Sequence, residues 1–211
     1  MDSELSKKLE QAVTLCEDKS DVEVIVVIAQ KSGPYRDIQL MVGLLLALFG
    51  SLFIVFSPFV FNPYYLAPSL VVLILIGYFL AAKFPFILRR FTSYERRKRQ
   101  VEAAAEVAFY RQSLSLTKRR TGLLVYLSLL ERDGHLLGDV ALRRSVPGDC
   151  LGKLQVALDE AANEKEPLEA LVRFLEDKLQ EPLARFLPAK EKNPNELPNT
   201  PVWVNEMGPS S

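Results

Sequence analysis

The 26 Lys and Arg residues of this 211-residue chain are balanced by 26 Asp and Glu, and zero net charge argues against nucleic acid as its main partner. Every one of those charges lies outside a single stretch, Ile38 to Ala82, which also lacks His. The two cysteines, Cys16 and Cys150, are far apart and lack Cys or His neighbours. They fit neither metal-ligand spacing nor CxxC chemistry, and a cytoplasmic setting keeps them reduced.

Residues 3–19 read as a helix, with Leu5, Leu9, Ala12, Val13 and Cys16 on one stripe. Asp18–Asp21 is turn chemistry. Val22–Ala29 is a β-branched run too short for a helix, and its near-continuous apolarity predicts a central strand covered on both faces. Lys31–Asp37 then leads into the apolar stretch.

A spanning helix needs about 20 mostly apolar residues, so the 45 residues from Ile38 to Ala82 suffice for two. The break falls at Ser57-Pro58 and Asn62-Pro63-Tyr64-Tyr65, where proline removes backbone donors. The expected spans are about 40–61 and 66–88, antiparallel neighbours with Tyr64 and Tyr65 at the interface. A buried hairpin of a soluble core is the competing reading, but so short a chain cannot cover two helices apolar on every side. A cleaved signal peptide does not fit, because 37 residues including Asp21, Glu23 and Asp37 come first. Lys31 and Arg36 precede the first span; Lys83, Arg89, Arg90, Arg96, Arg97, Lys98 and Arg99 follow the second; the tip is uncharged. That distribution puts both termini in the cytoplasm, with the basic run 89–99 near anionic head groups. Gly43, Ala47 and Ser51 on one helix, and Gly77 and Ala81 on the other, allow close packing. Reflection about the tip sets Gly77 opposite Ala47–Leu48. Without ionisable groups in the spans there is no ion or proton path.

After the hairpin, residues 93–116 form a helix with Val101, Ala104, Ala105, Ala108 and Phe109 inward. Leu123–Leu130 is a second buried strand, Asp133-Gly134 a hairpin turn, and His135–Val140 a third strand. Two helices follow, one carrying Leu151, Leu154, Leu158 and Ala161, the other opening at Pro167 and kinking or restarting at Pro182. Residues 189–211, rich in Pro and Asn, have no apolar period and read as a disordered tail with Val202-Trp203-Val204 as a sticky spot. The expected fold is α/β: a helix-covered sheet, an α/β/α sandwich, built from residues 1–37 and 84–188 as one discontinuous cytoplasmic domain and interrupted by a transmembrane hairpin over 38–83.

The run Phe109, Thr117, Thr121-Gly122-Leu123-Leu124-Val125-Tyr126-Leu127-Ser128-Leu129, Glu131-Arg132 and Gly138-Asp139 resembles the TPM domain. It is most similar to the bacterial membrane-bound branch in which two spans interrupt the domain; Ser32 and Tyr35 match that branch's Ser-x-x-Tyr, and Phe186-Leu187-Pro188 its terminal Phe-Pro. Leu137-Gly138-Asp139-Val140-Ala141 departs from the family's third strand, Cys150-Leu151 stands where an aromatic opens the next helix, and the glycine-rich basic tail is absent. The resemblance implies an α/β sandwich in a bacterial inner membrane. Its implied roles are assembly or repair of membrane complexes, accessory receptor subunits, or weak acid-phosphatase activity with a divalent cation.

Asp139, Glu131 and Asp37, with Asp21 and Glu23, lie where strand ends are expected, and such carboxylates would suit Ca²⁺ or Mg²⁺. Their spacing matches no cation loop, and solvated or ion-paired carboxylates, with Arg132, Arg143 or Arg144 as partners of Asp139, are the favoured reading. Ser32, Gly33 and Tyr35 form a candidate anion or ligand loop, against the plainer reading of a connection from sheet to membrane. His135, the sole histidine, lacks a visible catalytic partner. No phosphate loop, nucleophile elbow or zinc motif occurs. The sequence therefore predicts a membrane-anchored interaction or assembly module whose partners are the lipid bilayer and another membrane protein, with a weak divalent-metal-dependent hydrolase as the alternative.

Overall fold

The computed structural model describes residues 3–58, 62–189 and 197–206. In chain order its elements are α1 (Ser3–Lys19), β1 (Val24–Lys31), α2 (Arg36–Phe56), α3 (Leu66–Lys83), α4 (Pro85–Phe91), α5 (Tyr94–Arg111), β2 (Leu123–Ser128), β3 (Asp133–Gly138), α6 (Val140–Ser145), α7 (Gly148–Asn163), α8 (Pro167–Arg173), α9 (Gln180–Phe186) and β4 (Val202–Glu206). The described residues divide into two compact units, one within 1–33 and 97–211, the other within 34–96.

The first unit is a mixed α/β fold. Its strands form one sheet in the order β3-β2-β1-β4. β1 runs parallel to β2 and to β4, and β2 runs antiparallel to β3. Residues 24–29 of β1 and all of β2 are buried, as their unbroken apolar runs require of strands covered on both faces. Val24, Val26, Ile28, Leu123, Val125 and Leu127 face a core built from α1, α7, α8 and α9. Ile25, Val27, Ala29, Leu124 and Tyr126 face α5, through Val101, Ala104, Ala105, Ala108 and Phe109. Alternation of side chains along each strand thus separates two apolar layers.

Several boundaries differ from expectation. Asp133-Gly134 is not the hairpin turn; both residues lie inside β3, paired with Ser128 and Leu127. The reversal occurs over residues 129–132, with Arg132 in the left-handed region at φ 52°. Gly134 is there for packing, since a Cβ on it would sit 2.6 Å from Cγ of Leu158. Val140 does not extend β3, because Asp139 caps a short helix that begins there. The kink expected at Pro182 is a π-helical stretch, Phe174–Leu179, joining α8 to α9. Proline cannot donate to the carbonyl of Lys178, and the ladder widens in the turn before it. The tail expected to be disordered contains β4; its residues 190–196 and 207–211 lie outside the described residues.

In the second unit α2 and α3 lie antiparallel. A Cβ on Gly77 would stand 2.6 Å from Cα of Gly43, and one on Gly43 would stand 2.5 Å from the carbonyl oxygen of Ile74. The small residues Gly43, Ala47, Gly77 and Ala81 form the buried seam, but Gly77 meets Gly43 rather than Ala47–Leu48. The register is displaced by about one helical turn because α2 ends at Phe56, short of the expected span, whose last residues, 59–61, lie outside the described set. α3 stops at Lys83, not at Leu88. Pro85 forces Phe84 into extended backbone (φ −110°, ψ 98°) and restarts the chain as α4 from its first position.

Candidate functional site

Two polar clusters lie in the first unit, one at the ends of β1 and β2 and one at the edge of β3. Period-2 alternation puts Tyr126 and Ser128 on one face of β2, and the following turn returns Glu131 beneath them. The Ser32 hydroxyl donates to Ser128 Oγ at 2.8 Å, and Ser128 donates in turn to Glu131 Oε2. The Tyr126 hydroxyl, 2.9 Å from Ser32 Oγ, must then be the donor in that contact. The Ser32 amide donates to Glu131 Oε1 at 3.0 Å. All four residues are buried. Burial pushes the Tyr126 phenol above its ordinary value, so it keeps the proton that the chain of donors needs. This one-way relay locks the β2–β3 turn to the end of β1.

The Ser32 amide is occupied by the chain's own Glu131 side chain. Gly33 is pressed against Gln100, whose Cδ would lie 2.5 Å from an added Cβ. Tyr35 belongs to the other unit, where its carbonyl accepts from Gln39 N at 3.0 Å ahead of α2.

The second cluster joins β3 to α7. Asp133 and His135 share the face of β3 that Tyr126 occupies on β2. Gln155 of α7 uses its amide as a neighbouring strand would. It accepts from Leu136 N at 2.9 Å and donates to the Gly134 carbonyl at 2.8 Å, closing the free edge of β3. The same amide donates to Asp159 Oδ1 at 2.7 Å. Burial, then the charge of Asp159, pushes the Asp133 carboxyl up to about 6. Burial also raises Asp159 and lowers His135. Two acids and a neutral imidazole are thereby gathered at one edge. Sequence reading missed Gln155 and Asp159; their i, i+4 spacing beside Leu154 and Leu158 was the only available signal, and it does not say what they meet.

Within the first unit, the expected cation ligands Glu131 and Asp139 lie far apart. Glu131 and Asp139 bracket β3, whose six residues at about 3.3 Å each separate its ends by about 20 Å. Asp139 caps α6, accepting from Val140 N at 2.7 Å and from Arg120 Nε at 3.3 Å. Its partner is therefore an arginine, but not Arg132, Arg143 or Arg144. Asp21 pairs with Arg119. Asp37, in the other unit, receives both Arg96 terminal nitrogens, at 2.6 and 3.0 Å. Among the described residues no three His, Cys, Asp or Glu side chains gather as cation ligands would. Cys16 is equally removed from chemistry, its thiol pushed up to about 12 by burial.

The class these features define is a mixed α/β domain carrying a separate two-helix apolar unit. No protein-family model matches the chain, and no curated protein matches it. Among solved structures it is similar to the NMR structure of BA42 protein from the psychrophilic bacterium Bizionia argentinensis, at 16% identity and a TM-score of 0.58. The alignment covers 96% of this chain and 94% of that one. At that identity the likeness shows the fold alone.

Proposed function

We propose that this protein is a membrane-anchored, TPM-like interaction or assembly module with its α/β domain in the cytoplasm. The observation that carries the reading is the outer surface of the helical hairpin. α2 and α3 are long and apolar enough to cross a membrane. Their buried residues are Ile38, Gly43, Ala47, Gly77 and Ala81, mostly small, while Phe53 and Phe79 are 67% and 65% exposed. A core helix of a soluble protein buries its large side chains; a spanning pair turns them to lipid and keeps small ones for its own seam. Seven cations from Lys83 to Arg99, against none at the tip, favour a cytoplasmic domain.

The interaction role is supported by what the α/β unit contains. Many of its buried polar groups bond to internal partners, as in Tyr126–Ser32–Ser128–Glu131 and Asp139–Arg120. Such bonds hold the surfaces of the unit in place, as an interaction module requires. The experiment is labelling with a membrane-impermeant maleimide in intact cells. A cysteine at Asn62 should react from outside, and Cys150 should react only after lysis. Labelling of Cys150 in intact cells would reverse the topology. Crosslinking in membranes followed by affinity capture then tests for a partner.

A further inference from the structure

We propose that the edge of β1 away from β2 is an acceptor site for an extended segment of a partner protein, and that residues 197–206 of the chain occupy it as a removable strap. β1 has the composition of an interior strand and needs a neighbour on each side. β2 supplies one through the crossover that contains α5. The other is β4, drawn from the last stretch of the chain, in the parallel register Val27↔Val202, Ile28↔Trp203, Ala29↔Val204 and Lys31↔Glu206.

This second neighbour is incomplete. Val24, Ile25 and Val26 have no partner in β4, and the Val24 amide is instead held by Glu17 Oε1 at 2.9 Å. Val202, Trp203 and Val204 are only half-buried, whereas Val27, Ile28 and Ala29 opposite them are fully buried. The Trp203 indole Nε1 is buried and finds no acceptor among the described residues, which weakens the strap, because a buried donor without an acceptor is unfavourable. A polar clip adds to the hold: Asn199 Nδ2 donates to Thr14 Oγ1 of α1 at 3.0 Å.

The bound strap displays what the edge accepts. Main-chain pairing supplies affinity and alternating side chains supply selectivity, the usual logic of strand addition. The positions of Val202 and Val204 face the layer of Ile25, Val27 and Ala29, and take small β-branched groups. The position of Trp203 faces the α1 layer and takes one large apolar group. A partner with Phe or Leu there would leave no orphaned donor, and so would displace the native strap. The partner half of this inference rests on the interaction-module reading; the strap half stands without it.

Trp203 is the chain's single tryptophan, so its fluorescence reports the strap in the intact protein. The test adds a synthetic peptide with the sequence of residues 197–206 carrying Trp203→Phe, labelled with a dye, to the full-length chain in detergent micelles. Saturating peptide should shift Trp203 emission to the red as the strap leaves. The same peptide should bind a Val204→Asp protein about tenfold more tightly than wild type, because the internal competitor is weakened. A peptide that itself carries Val204→Asp should not bind. Unchanged Trp203 emission at saturating peptide, or equal affinity for both proteins, overturns the proposal. A wild-type dimer that dissociates on adding peptide assigns the edge to the strap of a second copy and overturns the partner half. A strap that exchanges while membrane crosslinking yields no partner counts against the interaction-module reading alone.

Discussion

Glu17 offers the sharpest energetic test of the α/β unit. Only 9% of this residue is exposed, at the end of α1, and its Oε1 holds the Val24 amide at 2.9 Å. Burial is the main cause that lifts its carboxyl from 4.5 to about 7; hydrogen bonds from the Val24 amide and the Asn199 side chain oppose the rise, and nearby Glu23 adds to it. The folded chain thus retains a proton that the unfolded chain releases. Stability from this group is complete below about pH 4.5, falls as pH climbs towards 7, and is flat above. At about 1.36 kcal/mol per pH unit the loss across that window is about 3 kcal/mol. Glu17→Gln keeps an oxygen for Val24 and removes the titration. Denaturant unfolding of the full-length chain in micelles, wild type against variant, should show near-equal stability at pH 4.5 and a variant more stable by about 3 kcal/mol at pH 8. A poorer contact between the glutamine amide and Asn199 would shift the whole difference curve without changing its slope. A difference that does not vary with pH refutes the argument, because it would mean that Glu17 is solvated in the folded protein.

Two shorter predictions address the hairpin and the cation question. Gly77→Leu drives a side chain against the backbone of Gly43 and Val42, and overpacking of this kind costs about 1–3 kcal/mol; the variant should melt at a lower temperature in micelles, and an unchanged midpoint would show that the seam does not exist. Asp139→Asn preserves the cap on α6 but removes the charge facing Arg120, which is more than half exposed, so the loss should stay below about 1 kcal/mol. Melting of wild type and variant with added Ca²⁺ or Mg²⁺ should be the same as without, and a cation-dependent rise in wild type alone would restore the hydrolase alternative.

What the sequence made legible follows from what each signal is made of. Val24–Ala29 and Leu123–Leu127 are unbroken apolar runs of the kind a doubly covered strand accommodates, so the central pair and the helices on both faces could be read directly. The α2–α3 seam was legible as small residues at helical spacing, but not its register, which depends on where α2 ends. Asp133-Gly134 misled because a glycine required by Leu158 looks the same as one required by a turn. The polar clusters were the least legible. Tyr126, Ser128 and Glu131 are close in sequence, yet their fourth member, Ser32, lies across the sheet, and Gln155 reaches β3 from a helix whose visible pattern is its leucine stripe.

The strap is the instructive case. Val202-Trp203-Val204 stands among prolines and asparagines, and five residues carry too little apolar surface to declare a strand by themselves. The strand exists because β1 offers a buried edge in need of a neighbour, so the information for β4 resides largely in residues 24–31. A segment whose structure is dictated by its acceptor is one that another segment of similar alternation can replace. The same weakness that hid β4 from sequence reading therefore makes the β1 edge the place where this fold is open to exchange.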